Sequence, residues 1–180
     1  MNEDSLRGRL LVATPALADP NFAHTVVLLL DHNEEGALGV VLNRPSAVDV
    51  SDTVPHWEPL AAEPRVVFIG GPVQPEAVVG LCTAADDVEQ VQDVADGIGI
   101  VDLRADPLAL IGAVRSLRLF AGYAGWGDGQ LEDEIDQGGW FVVDPDPDDV
   151  LAGDPTELWL RVLSRQGGLF TTISEDLSLN

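Results

Sequence analysis

The segment that most constrains this chain is a pair of apolar runs held apart by one turn. Residues 25–31 read Thr-Val-Val-Leu-Leu-Leu-Asp, with no polar alternation inside the run. That is the pattern of a strand covered on both faces. Asn33-Glu34-Glu35-Gly36 follows, and residues 37–42 return as a second apolar run. Turn residues between two such runs predict a β-hairpin over 25–43. A strand that is apolar on both faces needs cover above and below, so this hairpin belongs inside a layered fold.

The other apolar runs extend the sheet. Strands are expected at 10–14, stopped by Pro15, at 65–69, cut off by Gly70-Gly71-Pro72, and at 77–82, 98–103, 117–121 and 140–143. Asp19-Pro20-Asn21-Phe22 is turn chemistry. Residues 45–64 hold several prolines and at most a short helical pattern, and 84–97 read as an acidic, solvated loop. Asp106-Pro107 pairs an N-cap with Pro at the first helical position and predicts a helix to about 115. A Gly-rich segment at 122–129 leads into a helix over 130–137, ended by Gly138-Gly139. Asp154-Pro155-Thr156-Glu157 opens a helix to about 165, with Leu158, Val162 and Leu163 on its apolar face and Gly167-Gly168 at its end; the last dozen residues read as a tail packed on the surface. Strands first and helices later predict an α+β fold. The expectation is one compact domain over 1–180. Its sheet would be mixed or antiparallel, with hairpins in the N-terminal half and helices packed on it from the C-terminal half. The stretch 98–143 has room for one parallel crossover.

Charge limits function. Nine basic residues stand against 31 acidic ones, for a net charge of −22. Every basic residue is Arg, which removes lysine Schiff-base chemistry and the Walker A lysine. Direct nucleic-acid binding needs a basic face that displaces counterions from phosphates. Here the arginines are scattered, and after Arg7 and Arg9 the nearest approach to a cluster is Arg115 with Arg118. Nucleic-acid contact is therefore disfavoured, and a protein or small molecule is the expected partner. Cys82 is the only cysteine, so no internal disulfide or cysteine zinc cluster can form. Next to Leu81 in an apolar strand it reads as a small buried hydrophobe. No apolar run approaches the ~20 residues that span a bilayer. The N-terminus carries acids where a signal peptide needs a basic region. A cytoplasmic protein without membrane contact is expected.

The most distinctive candidate for chemistry is 117–135, in which glycines at 122, 125, 127 and 129 precede a helix. As a site it would be an anion cradle at the helix N-terminus, with Tyr123 and Trp126 as walls and Gln130 and Glu134 as polar groups. As scaffold it would be a tight strand-to-helix turn pinned by Trp126 and capped by Asp128. The acids at 128, 132, 133, 134 and 136 oppose a phosphate there, which favours the scaffold. Gly70-Gly71 after a strand is either a backbone-donor loop or a turn before Pro72. His24, His32 and His56 show no metal-ligand spacing; His32 is the one that could serve as a base, and His56-Trp57 reads as surface packing. The aspartates of 144–149 fail the EF-hand pattern, because Asp149 stands where Gly is needed and Pro155 where Glu is needed. No GxSxG or SxxK pair is present. The expectation is therefore no assignable catalytic residue, no metal and no cofactor.

Several blocks together resemble a known family. They are Gly8-Arg9-Leu10-Leu11-Val12-Ala13 with Asp19-Pro20-Asn21-Phe22, Asp31-His32-Asn33, and Gly36-Ala37-Leu38-Gly39-Val40-Val41-Leu42-Asn43-Arg44-Pro45. Phe68-Ile69-Gly70-Gly71-Pro72-Val73 and Gly122-Tyr123-Ala124-Gly125-Trp126 with Gly129-Gln130-Leu131-Glu132 complete them. The set resembles the bacterial YqgE/AlgH family, over nearly the whole chain and most thinly at 84–97 and after 167. The resemblance implies a compact α+β fold and no established catalytic residues. One branch is associated with alginate regulation and carries a transcriptional-regulator label. The leading expectation is a regulatory or interaction module that binds a protein partner or small ligand, with His32, Asn43, Arg44, Gly70, Gly71, Tyr123, Trp126, Gln130 and Glu134 as the candidate surface. The alternative is a small enzyme using the loop at 122–130 with His32 as base, and a further alternative is the regulator of the family label acting on DNA. Convergence of His32 on that loop is the structural test of the enzyme version.

Overall fold

The structure is a computed structural model that describes residues 5–15, 17, 22–84, 88–95, 97–151 and 154–166. In chain order the strands are β1 (Leu10–Ala13), β2 (Val26–Asn33), β3 (Gly36–Val41), β4 (Pro45–Asp49), β5 (Val66–Ile69), β6 (Val73–Ala84), β7 (Val91–Ala95), β8 (Ile98–Val101), β9 (Val114–Trp126) and β10 (Trp140–Val143). The helices are α1 (Val50–Thr53), α2 (Gln130–Asp136), α3 (Pro147–Leu151) and α4 (Leu158–Gln166), with 3-10 turns at Pro55–Leu60, Pro107–Leu110 and Pro155–Glu157. Helices and strands both occur, as expected, but the fold is dominated by its sheet.

The sheet runs β10-β1-β2-β3-β9-β6-β8-β7, with β5 pairing β9 in parallel and β4 pairing β5. The hairpin expected over 25–43 is its centre. Val27 pairs with Val41, Leu28 with Val40 and Leu29 with Gly39; then a bulge at Leu30 shifts the register so that Asp31 meets Leu38. The bulge turns His32 to the face that carries Ala37, its new partner. The continuous apolar run is explained by cover on both sides. Leu28 and Val26 face a core closed by Leu158, Trp159, Val162 and Leu163 of α4, while Val27 and Leu29 face a second core under Leu131 of α2.

β9 is the spine. On one side it pairs with β3 through 124–126 and β5 through 119–121, and on the other with β6 over most of its length. This overturns the reading of 122–126 as loop and leaves 127–129 as the turn. Long-range ladders override local glycine content, and Gly122 (φ +77°) sits inside the strand. A Cβ at Gly122 would meet the Gly71 carbonyl oxygen at 2.4 Å, and one at Gly70 would meet the Gly122 oxygen at 2.4 Å. The glycines therefore permit a close backbone crossing as the chain passes from β5 to β6.

Other expectations need correction. Residues 91–95 are a strand, because β8 offers them a partner; their polar residues Gln92 and Asp93 face water. The helix expected to run to 115 stops at Leu110, because Val114 already pairs with Ala84; Asp106 does cap it, accepting from Leu108 N–H. No pairing among the strands of 98–143 makes a crossover: β8 lies beyond β6, and β10 lies beside β1. Trp57 is buried, and its indole donates to the Leu103 carbonyl at 3.2 Å. The turn at 19–21, the glycines at 167–168 and the tail lie outside the described residues. Among the described residues no helix is long and apolar enough to cross a membrane.

Candidate functional site

The turn from β9 to α2 is short. Gly129 occupies the N-cap with φ +72°, and no side chain caps the helix from that position. Gln130 instead closes the turn, accepting the Gly127 N–H at 3.0 Å through Oε1. The N-cap is Gly129, not the expected Asp128. Gln130 and Glu134 lie one turn apart, so the Gln130 amide reaches Glu134 Oε2 at 3.0 Å. The indoles of Trp126 and Trp140 both donate to Glu134 Oε1, at 3.2 and 3.0 Å. One carboxylate thus gathers three donors from β9, α2 and β10. Phe22 packs against both indoles, with ring centroids 6.1 and 5.8 Å away.

Trp126, Gln130 and Glu134 are therefore brought together, as scaffold. Tyr123 is not part of that group. It packs with the α4-side core, whereas Trp126 belongs to the α2-side core. Side chains three apart on a strand point to opposite faces, so the cradle walled by Tyr123 and Trp126, the less favoured of the two readings, does not form.

His32 does converge on this helix. Its Nε2 lies 2.6 Å from Glu132 Oε1, and its Nδ1 accepts the Leu6 N–H at 2.8 Å. A neutral ring that accepts at Nδ1 carries its hydrogen on Nε2 and donates it to the carboxylate. Neither nitrogen is then open to a substrate proton.

Asn43 and Arg44 serve the segment before β2. Asn43 accepts Val26 N–H at 3.1 Å and donates to the His24 carbonyl at 3.0 Å. Arg44 donates to the Ala23 carbonyl at 3.3 Å. They hold His24, at φ +59°, in the left-handed region, where its ring lies 4.6 Å from Trp159. Gly70 and Gly71 are at the crossing described above; Gly70 N–H donates to Ala121 and its carbonyl accepts from Val41. Both glycines are buried, and they are separated from the His32 group by β3 and β9.

The turn end of the β2–β3 hairpin borders a concavity of about 240 Å³, lined by Asp31, Asn33, Glu35, Gly36, Ala37, Leu38 and Trp126. Asp31, Asn33 and Glu35 are exposed. Asp31 keeps His32 N–H on one oxygen, and Asn33 accepts Glu35 N–H. This rim went unseen in the sequence, as did the roles of Glu132 and Trp140, because each depends on pairing across strands. Only the spacing of Gln130 and Glu134 is a local signal. No group of three metal-ligating side chains occurs among the described residues.

Two other sequence candidates are internal. Arg118 is buried at 3% exposure, donates to the Glu63 carbonyl at 2.7 Å and lies 4.7 Å over the Phe68 ring, so Arg115 and Arg118 form no surface patch. Cys82 is fully buried, and burial pushes its thiol up to about 11.

An AlgH-like family model matches residues 10–171. A UPF0301 protein of Streptomyces coelicolor is 54% identical over 98% of this chain and 96% of its own length. A UPF0301 protein of Mycobacterium tuberculosis is 44% identical over 96% of this chain and 90% of its own. Among solved structures, a protein of Corynebacterium diphtheriae matches with a TM-score of 0.90 at 36% identity, over 96% of this chain and 93% of that one. The AlgH protein of Pseudomonas aeruginosa matches with a TM-score of 0.72 at 29% identity, over 97% and 95%. The resemblance first carried by the glycine, tryptophan and Asp-His-Asn blocks thus extends to the whole architecture, and this chain belongs to the AlgH-like family.

Proposed function

We propose that the protein is an interaction module that engages a protein partner through the concavity at the turn end of the β2–β3 hairpin. One observation carries the reading. The polar side chains of the patterned blocks are engaged with one another, Glu134 with three donors and His32 at both nitrogens, whereas Asp31, Asn33 and Glu35 are exposed beside them. Such an arrangement builds a stiff rim and supplies no free base. The rim's acidity suits a basic partner segment, since complementary charge steers encounter and fixes register. A regulatory role follows through that partner, because 31 acids against nine arginines repel nucleic acid.

The enzyme alternative draws support from the approach of His32 to α2, but it lacks an open lone pair on the ring. The test is reversal of the rim. Glu35→Arg should reduce partner capture in cell extract at least tenfold, with the unfolding midpoint unchanged, while Asp106→Arg on the far turn leaves capture intact. Equal capture by all three proteins would sink the proposal.

A further inference from the structure

Residues 5–9 form a strap along the end of β2. The Ser5 hydroxyl donates to the His32 carbonyl at 3.1 Å, Arg7 Nε to Leu30 at 3.1 Å, and Gly8 N–H to Leu29 at 2.8 Å. Arg7 also reaches β7, donating to the Asp93 carbonyl at 2.6 Å. β2 and β7 stand apart in the sheet order, so the strap bridges a seam the ladders leave open. Leu6 packs on the core beneath α2 that contains Trp126 and Leu131.

One strap bond differs from the rest. Leu6 N–H is accepted by His32 Nδ1, and a ring nitrogen accepts only while it is bare. The other nitrogen faces Glu132. A second proton has only Nδ1 to occupy, where it meets the Leu6 N–H as donor against donor. The groups facing the ring are known from each side. α2 brings the Glu132 carboxylate, β3 brings Ala37, and the strap brings Ser5 and Leu6. Arg7 is directed to Leu30 and Asp93, and Asp31 on the same strand accepts the His32 N–H. Nε2 is thus taken by Glu132, and Leu6 N–H points at Nδ1. Proton and strap therefore compete for one lone pair.

We propose that His32 is a proton-operated latch: the neutral ring holds the N-terminal strap down, and the second proton releases it, opening the β2–β7 seam and uncovering the apolar surface under Leu6. The inference is independent of the partner reading, because it concerns the isolated chain.

Amide exchange of Leu6 and Gly8, corrected for its intrinsic pH dependence, should be followed from pH 8 to pH 5, the range in which imidazoles ordinarily charge. The ring nitrogen shifts of His32 should be recorded in the same samples. Protection of Leu6 is expected to fall roughly tenfold in step with ring protonation, the scale of one lost hydrogen bond. His32→Asn supplies an acceptor near the Nδ1 position that does not titrate, and it should keep Leu6 protected throughout. The latch is refuted if the ring charges without loss of protection, if it stays neutral to pH 5, or if the Asn variant loses protection as the wild type does.

Discussion

The two faces of the central hairpin are covered by different means. Under α4 the cover is apolar: Leu158, Trp159, Val162 and Leu163 pack on Leu28, Val40 and Phe120, all buried. A directional contact is added by the Trp159 indole, which donates to the Ala13 carbonyl at 2.7 Å. Under α2 the cover is held by polar contacts, with Glu134 tying three elements together and His32 meeting Glu132. α2 has seven residues and buries Leu131, too little apolar surface to dock it alone. A short helix is placed by hydrogen bonds where a longer one can be placed by area. Sensitivity to volume should therefore lie on the α4 face, and sensitivity to chemistry on the α2 face.

The largest effect should come from volume. Leu163→Ala empties a fully buried site and should cost about 3 kcal/mol in urea unfolding. The same measurement on an α2-face variant tests the other half. Glu134→Ala removes little apolar volume but strands two indole N–H donors, and should cost about 2 kcal/mol. It should also change the near-ultraviolet circular dichroism of Trp126 and Trp140, a signal Leu163→Ala leaves largely in place. If Glu134→Ala proves neutral, the contrast between the faces is broken. The smallest effect is on Cys82, within the apolar interior. Its thiol is held near 11 against an ordinary 9.0, so the unfolded chain ionises first. Stability contributed by the neutral thiol is complete below pH 9 and declines as pH rises toward 11. Thiol labelling at pH 8 should proceed at the rate of unfolding, and Cys82→Ala should abolish the alkaline decline.

What could be read in the sequence follows the range of the forces involved. The 25–43 hairpin was legible because its pattern is local, and so was the cap at Asp154, which accepts Thr156 N–H at 2.9 Å. β9 was cut short at Ala121 because glycine marks turns locally, whereas Gly122 and Gly125 lie in a strand that distant partners complete. The strand at 91–95 was hidden by its polar residues Gln92 and Asp93, which belong to an edge facing water. Of the candidate site, Trp126, Gln130 and Glu134 were found together because their spacing brings them near one another. Tyr123 lies on the other face from Trp126, because 122–126 is a strand and local glycines conceal its parity. Asn43 and Arg44 proved to be braces for 23–26, and the meeting of His32 with Glu132 spans one hundred residues.

The central position of β9 also orders events during synthesis. β3, β5 and β6 all await residues 114–126, which leave the ribosome after more than half the chain is made. Until then the nascent protein holds a formed hairpin and several strands with open edges, the condition in which chains join their neighbours instead of themselves. Residues 1–113 already carry 18 acids against five arginines, and that excess repels those neighbours. The acidity of this chain thus protects a fold whose keystone arrives late.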